Sequence, residues 1–160
     1  VAREAAALVL VNDDFGSLTD SVRTGRRIYE NIRHAMAYLI AVHVPIAGMT
    51  FLPLLFGAPQ ILFPVHVVFL EFVIDPACTV VFEMEEADAG IMMRPPRDPG
   101  AVLFSPRLVV TSLILGFFAL ATVWVAYGIA MRAGYSEAEV RAMAFVGIVT
   151  GNLKIGRAHV

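Results

Sequence analysis

The 160-residue chain has little of what usually announces chemistry. Cys78 is its only cysteine, which excludes an intrachain disulfide and a paired-cysteine zinc site and leaves the redox compartment open. Twelve basic residues face fourteen acidic ones, for a net charge of −2. That balance carries no basic signature, and no nucleic-acid partner is expected. No Walker loop, nucleophile elbow or metal-hydrolase motif occurs, so nothing in these residues alone points to covalent catalysis. Charge is also missing over long stretches, being concentrated in residues 1–34 and 83–107.

What is present is apolar. The chain is 58% hydrophobic with a mean hydropathy of +0.73. Soluble domains run nearer about 45–50% apolar, so the excess implies a lipid environment. The expected class is mainly α: a multi-pass membrane protein built of helical hairpins. Residues 5–11, "AALVLVN", fit a buried strand or a short helical segment. Ser17 is a candidate N-cap for a charged helix leading directly into residues 37–57, a first span without acidic or strongly basic groups. "GAPQ" at residues 57–60 reads as a tight turn. Residues 61–82 form a second span, and 83–107 a polar loop in which Pro95, Pro96 and Pro99 exclude a continuous helix. Ser105-Pro106 then opens a third span over residues 108–131. "SEAE", residues 136–139, is a capping box opening a fourth helix over 136–153, whose apolar part is too short to span a bilayer. The opening without an initiator Met and the early stop are what a fragment would show, and residues 154–160, which include "IGRAHV", are expected to be a non-native tail.

Arg26, Arg27 and Arg33 precede the first span, and Arg94, Arg97 and Arg107 lie in the 83–107 loop. The other connections hold only Arg132 and Arg141. The positive-inside rule therefore places residues 1–36 and 83–107 in the cytoplasm.

The second span carries the chemistry. "FLEFVIDPACTVVFE" sets Glu71 and Asp75 four residues apart on one helical face, and an acid at mid-bilayer costs roughly 2.5–3.5 kcal/mol on insertion scales. Pro76 follows; lacking an N–H, it leaves the Phe72 carbonyl one turn back without its helical donor. Two carboxylates and a freed carbonyl are hard donors for a cation or a proton. The competing reading is that one acid stays protonated and bonds a neighbouring helix. In the first span Pro45 similarly frees the Ala41 carbonyl, with His43 two residues before it. His43 is a proton carrier, a ligand or a neutral core group. His66 lies about 140° around the helix from Glu71 and is expected to be structural. Cys78 is either a soft ligand or a small buried hydrophobe. Glu83, Glu85, Glu86 and Asp88 either draw cations to the mouth of the span or form a solvated loop.

Together these features resemble the carboxyl-terminal part of a type II cation-transporting P-type ATPase. "AREAA…DDF…GRRIYENI" looks like the end of the phosphorylation domain and its stalk, entering the fifth transmembrane helix. The acid-bearing helix followed by "RPPR" looks like the sixth helix and its loop. The resemblance covers residues 1–153. It implies that residues 1–36 are a remnant of an α/β phosphorylation domain, a short strand plus stalk helix. It also implies ATP and Mg2+ as the full-length protein's cofactors, bound through DKTGT and TGDGxNDxP motifs absent from these residues. The chain alone would then not hydrolyse ATP. The implied partners are the rest of the same pump (its amino-terminal domains and helices one to four), the bilayer and the transported cation. Calcium pumps of this group place ligands where this chain has His43 and Ile46 on the fifth helix, and Glu71, Ile74 and Asp75 on the sixth. Only Asp75 matches that pattern, so the ion could be Ca2+, Mg2+, a monovalent cation, a transition metal or H+. A secondary transporter or channel module, or a non-enzymatic scaffold whose acids pair helices, are the rival readings.

Overall fold

In a computed structural model the described residues form a bundle of four long helices. The structure describes residues 9, 14–84, 86, 88–98, 100 and 102–158, without the side chains of residues 75, 77–79, 81, 83 and 156–158. The strand expected over residues 5–11 lies, Val9 apart, outside that set, and no strand occurs among the described residues.

Helix α1, Phe15–Leu55, is continuous for 41 residues, so the charged segment and the first apolar span are one rod. At 1.5 Å per residue it is about 60 Å long, enough to cross a bilayer and project well beyond it. Its start is capped by Asp14, which accepts a hydrogen bond from the Gly16 N–H at 2.9 Å. Pro45 and Pro53 lie within the helix and do not end it. Its end is a Schellman motif: the Ala58 N–H donates to the Pro53 carbonyl at 2.8 Å while Gly57 sits at φ +64°. That positive φ is why glycine follows this helix.

Helix α2, Pro64–Met84, has 21 residues and continues through Pro76. Helix α3, Pro106–Arg132, begins at Ser105, whose Oγ accepts from the Leu108 N–H at 3.2 Å, with proline in the first turn. Helix α4 is Glu137–Ala158. The Ser136 N–H donates to Glu139 Oε2 at 2.9 Å, the reciprocal half of a capping box. The helix runs on through Lys154, beyond the 136–153 boundary expected for it. By length and composition α1 and α3 are able to cross a membrane.

Helix α1 packs chiefly on α3. Tyr38, Val42, Ile46 and Met49 on α1 meet a stripe on α3 formed by Leu120, Val123, Tyr127 and Ala130, with Val140, Ala144 and Ile148 of α4 closing the cluster. In lipid, apolar burial alone discriminates poorly, because the alternative surroundings are equally apolar; close backbone approach has to supply the association. Glycines permit it. A Cβ on Gly48 would fall 2.4 Å from Leu120 Cδ2, and one on Gly116 would fall 2.6 Å from the Ala41 carbonyl oxygen.

Contacts at the two ends sort the loops. The Arg26 guanidinium donates to the carbonyls of Ile91 (2.7 Å) and Arg94 (2.8 Å), and Arg94 pairs with Glu30 at 2.9 Å and with Asp88. Arg97 stacks over the Tyr29 ring, 4.3 Å from its centroid. The charged half of α1 and the 83–107 loop therefore occupy the same end of the bundle. At the other end the Tyr127 hydroxyl donates to the Pro59 carbonyl at 3.1 Å, fixing the turn after α1 against the end of α3.

Candidate functional site

Helices α1 and α2 run side by side after the turn at Gly57, and their polar residues meet. His43 lies in the apolar half of α1. Its Nδ1 is 2.7 Å from the carbonyl oxygen of Leu39, one turn back. A carbonyl only accepts, so Nδ1 carries a proton. The other ring nitrogen, Nε2, faces Glu71 Oε2 of α2 at 3.3 Å. An unprotonated nitrogen opposite an ionised carboxylate would set two lone pairs against each other at that distance. The contact is a hydrogen bond only when the pair holds one further proton, as imidazolium with carboxylate or as imidazole with carboxylic acid.

The site is open. The side chains of His43 and Glu71 are 50% and 32% exposed. Glu71 also lines a shallow cavity of about 410 Å³ with Val67, Val68, Phe72 and Pro76. All five lining residues belong to α2, so Glu71 is the one charged group on an otherwise apolar, open face of that helix.

Asp75 is in α2 one turn beyond Glu71, and Cys78 follows; both side chains lie outside the described set. Among the described residues no three of His, Cys, Asp and Glu converge as metal ligands. Pro76 is exposed on the Glu71 cavity, whereas Pro45 is buried and the carbonyl it frees, that of Ala41, packs against Gly116. Ile46 and Ile74, at two positions where the calcium-pump pattern has ligands, are 4% and 5% exposed members of the apolar core. His66 is occupied otherwise: its Nδ1 accepts from the Phe63 N–H at 3.2 Å and its ring stacks on that of Phe63. Glu83 and Glu85 of the acidic run fall outside the described side chains, while Asp88 pairs with Arg94.

The His43–Glu71 contact is what the residue pattern alone did not reveal. One signal pointed toward it. Both residues lie in the halves of their helices nearest the turn at residues 57–60, His43 about 18 Å before the end of α1 and Glu71 about 10 Å after the start of α2.

A mainly helical chain with two membrane-length apolar helices, one of them extended by a charged half, has the architecture of the membrane region of a transport protein. The comparisons narrow it. Residues 59–155 match the family described as "Cation transporting ATPase, C-terminus", and the chain belongs to that family. It is 30% identical over 154 residues to the "Calcium-transporting ATPase" of Bacillus subtilis (strain 168), covering 96% of this chain and 17% of that protein. It is 30% identical over 118 residues to "Calcium-transporting ATPase 2, endoplasmic reticulum-type" of Arabidopsis thaliana, covering 74% of this chain and 11% of that protein. The chain thus spans less than a fifth of the length of either relative.

Proposed function

We propose that this chain forms the transport half of an ATP-driven cation pump, crossing the membrane several times with residues 1–36 and 83–107 on the cytoplasmic side. Glu71 and Asp75 supply oxygen donors to the transported cation, Pro76 shapes the wall beside them, and His43 sets the charge that Glu71 presents. ATP and Mg2+ act in other parts of the full-length protein, and the stalk half of α1 carries the resulting movement to the site. The observation that carries the reading is the 3.3 Å contact between His43 Nε2 and Glu71 Oε2, between two helices of a cation-ATPase carboxyl-terminal region. A cation entering at Glu71 competes with His43 Nε2 for the same carboxylate oxygen. Ile46 and Ile74 leave two ligand positions apolar, which favours a site with fewer ligands than a standard calcium site.

The test is cation-stimulated phosphorylation of the full-length protein, measured with a panel of cations at several pH values. Glu71→Gln and Asp75→Asn should each abolish or shift the cation dependence by about tenfold or more. Wild-type cation dependence in both variants removes these acids from the site. A complete gene without a DKTGT aspartate removes the pump itself, and leaves the secondary-transporter reading in its place.

A further inference from the structure

A second cavity, of about 620 Å³, lies at the stalk end of the bundle, between α1 and the 83–107 loop. Four guanidinium groups line it, those of Arg26, Arg33, Arg94 and Arg97, against one carboxylate, that of Glu30. Two of the four are committed to holding the loop: Arg26 to the carbonyls of Ile91 and Arg94, and Arg94 to Glu30 and Asp88. The other two, Arg33 and Arg97, have no carboxylate partner among the described residues, and Arg97 is fixed over the Tyr29 ring. The cavity thus has a surplus of positive charge, and of its two uncommitted guanidinium groups that of Arg97 is held in place by the Tyr29 ring.

Its depth is set by the chain on either side. Arg33 lies one turn before the uncharged stretch of α1 begins at Ala37, and Ser105, which also lines the cavity, caps the start of the membrane-length helix α3. Both walls therefore end at the level where a bilayer's polar surface begins. Val22, Ile91 and Val102 give the same cavity apolar surface beside the arginines. Guanidinium forks match phosphate oxygens bidentately, and basic pockets at the cytoplasmic surface of membrane helices favour anionic headgroups.

We propose that this cavity binds a phosphate-bearing anion through Arg33 and Arg97, and that the headgroup of an anionic phospholipid supplies it. Such a ligand would tie the stalk to the loop at the membrane surface, bridging α1 and the segment leading into α3 with a group that belongs to neither.

The experiment uses the full-length protein in detergent micelles, with phosphatidylglycerol, phosphatidylcholine or inorganic phosphate added in separate arms. Each sample is read by retained adducts in native mass spectrometry and by the shift of melting temperature from its own ligand-free value. Phosphatidylglycerol should be retained and should raise the melting temperature, with phosphatidylcholine retained far less. Arg33→Gln combined with Arg97→Gln should weaken phosphatidylglycerol retention roughly tenfold or more and abolish the thermal shift. Because each shift is referred to the variant's own baseline, a loss of intrinsic stability does not mimic the result. Inorganic phosphate that stabilises the wild type, displaces the lipid and fails to stabilise the double variant supports the phosphate site and overturns its assignment to lipid. Equal retention of phosphatidylglycerol by wild type and double variant overturns the site altogether.

Discussion

Gly116 of α3 lies directly against the carbonyl of Ala41 in α1, so closely that a Cβ on Gly116 would sit 2.6 Å from that oxygen and 2.7 Å from Val44 Cβ. The relationship joins two sequence features otherwise unconnected. Pro45 has no N–H to donate to the Ala41 carbonyl, and the absent side chain of Gly116 lets α3 cover the oxygen it leaves. The Cα–H of glycine is a weak donor suited to that position. Gly116→Val should therefore destabilise the α1–α3 pair by about 1–3 kcal/mol through overpacking against backbone. Thermal unfolding in detergent measures it. Gly128→Ala is the control, since nothing lies within 4 Å of a Cβ there, and it should cause no loss. Equal behaviour of the two variants would refute the close approach.

The His43–Glu71 pair predicts a non-additive pattern. Removing either partner leaves the other polar group unmatched between apolar helices, whereas removing both leaves an apolar contact. Both side chains are partly exposed, so the single costs are modest, about 0.5–1.5 kcal/mol each. His43→Leu with Glu71→Leu should be less destabilised than the sum of the singles, with a coupling of about 0.5 kcal/mol or more. Melting of the four proteins of the cycle decides it. Strict additivity would mean the two groups do not interact.

How far the residues foretell this arrangement depends on the range of the interaction. Two helix starts are local: Ser105 followed by Pro106, and Ser136 followed three residues later by Glu139, place their own hydrogen bonds within a single turn, whereas the cap expected at Ser17 is Asp14, three residues earlier. Gly57 is local in the same sense, because its positive φ closes the α1 terminus. That Glu71 stands out in an apolar helix needs only the residue order. What was not legible is which groups face one another. Pro45 marks a freed carbonyl at Ala41, but only the α1–α3 packing decides that Gly116 covers it. Likewise His43 and Glu71 are 28 positions apart, and helix rotation, which a uniformly apolar surface scarcely encodes, determines whether they touch. The continuity of α1 through Pro45 and Pro53 has the same origin, since neighbouring helices hold the rod where isolated propensity would weaken it.

The stalk-to-loop tie separates a buried role from an exposed one. Arg26 donates to two backbone carbonyls, one of them on buried Ile91, so its loss leaves loop backbone unsatisfied. Arg94 reaches Glu30 and Asp88 in exposed ion pairs, which are typically worth about 0.2–1 kcal/mol and weaken with salt. Arg26→Ala should thus increase hydrogen exchange across residues 88–94 far more than Arg94→Ala does. Raising ionic strength should narrow the effect of Arg94→Ala and leave that of Arg26→Ala nearly unchanged. Reversal of the order would assign the tie to the carboxylates.

The start of α3 makes the last test. Ser105 has extended backbone, φ −69° and ψ 144°, and its Oγ satisfies one of the four N–H groups that a helix start leaves unpaired. Pro106 removes a second by having no N–H at all. Little redundancy remains at a terminus that must hold the 83–107 loop at a fixed depth. Ser105→Ala should cost about 1 kcal/mol, while Ser105→Asn, which restores an acceptor at the same place, should recover most of it. Hydrogen exchange of the Leu108 amide reports the cap directly: it should quicken in the alanine variant and return toward wild type with asparagine. Unchanged exchange at Leu108 in both variants would mean that the proline alone defines where α3 begins.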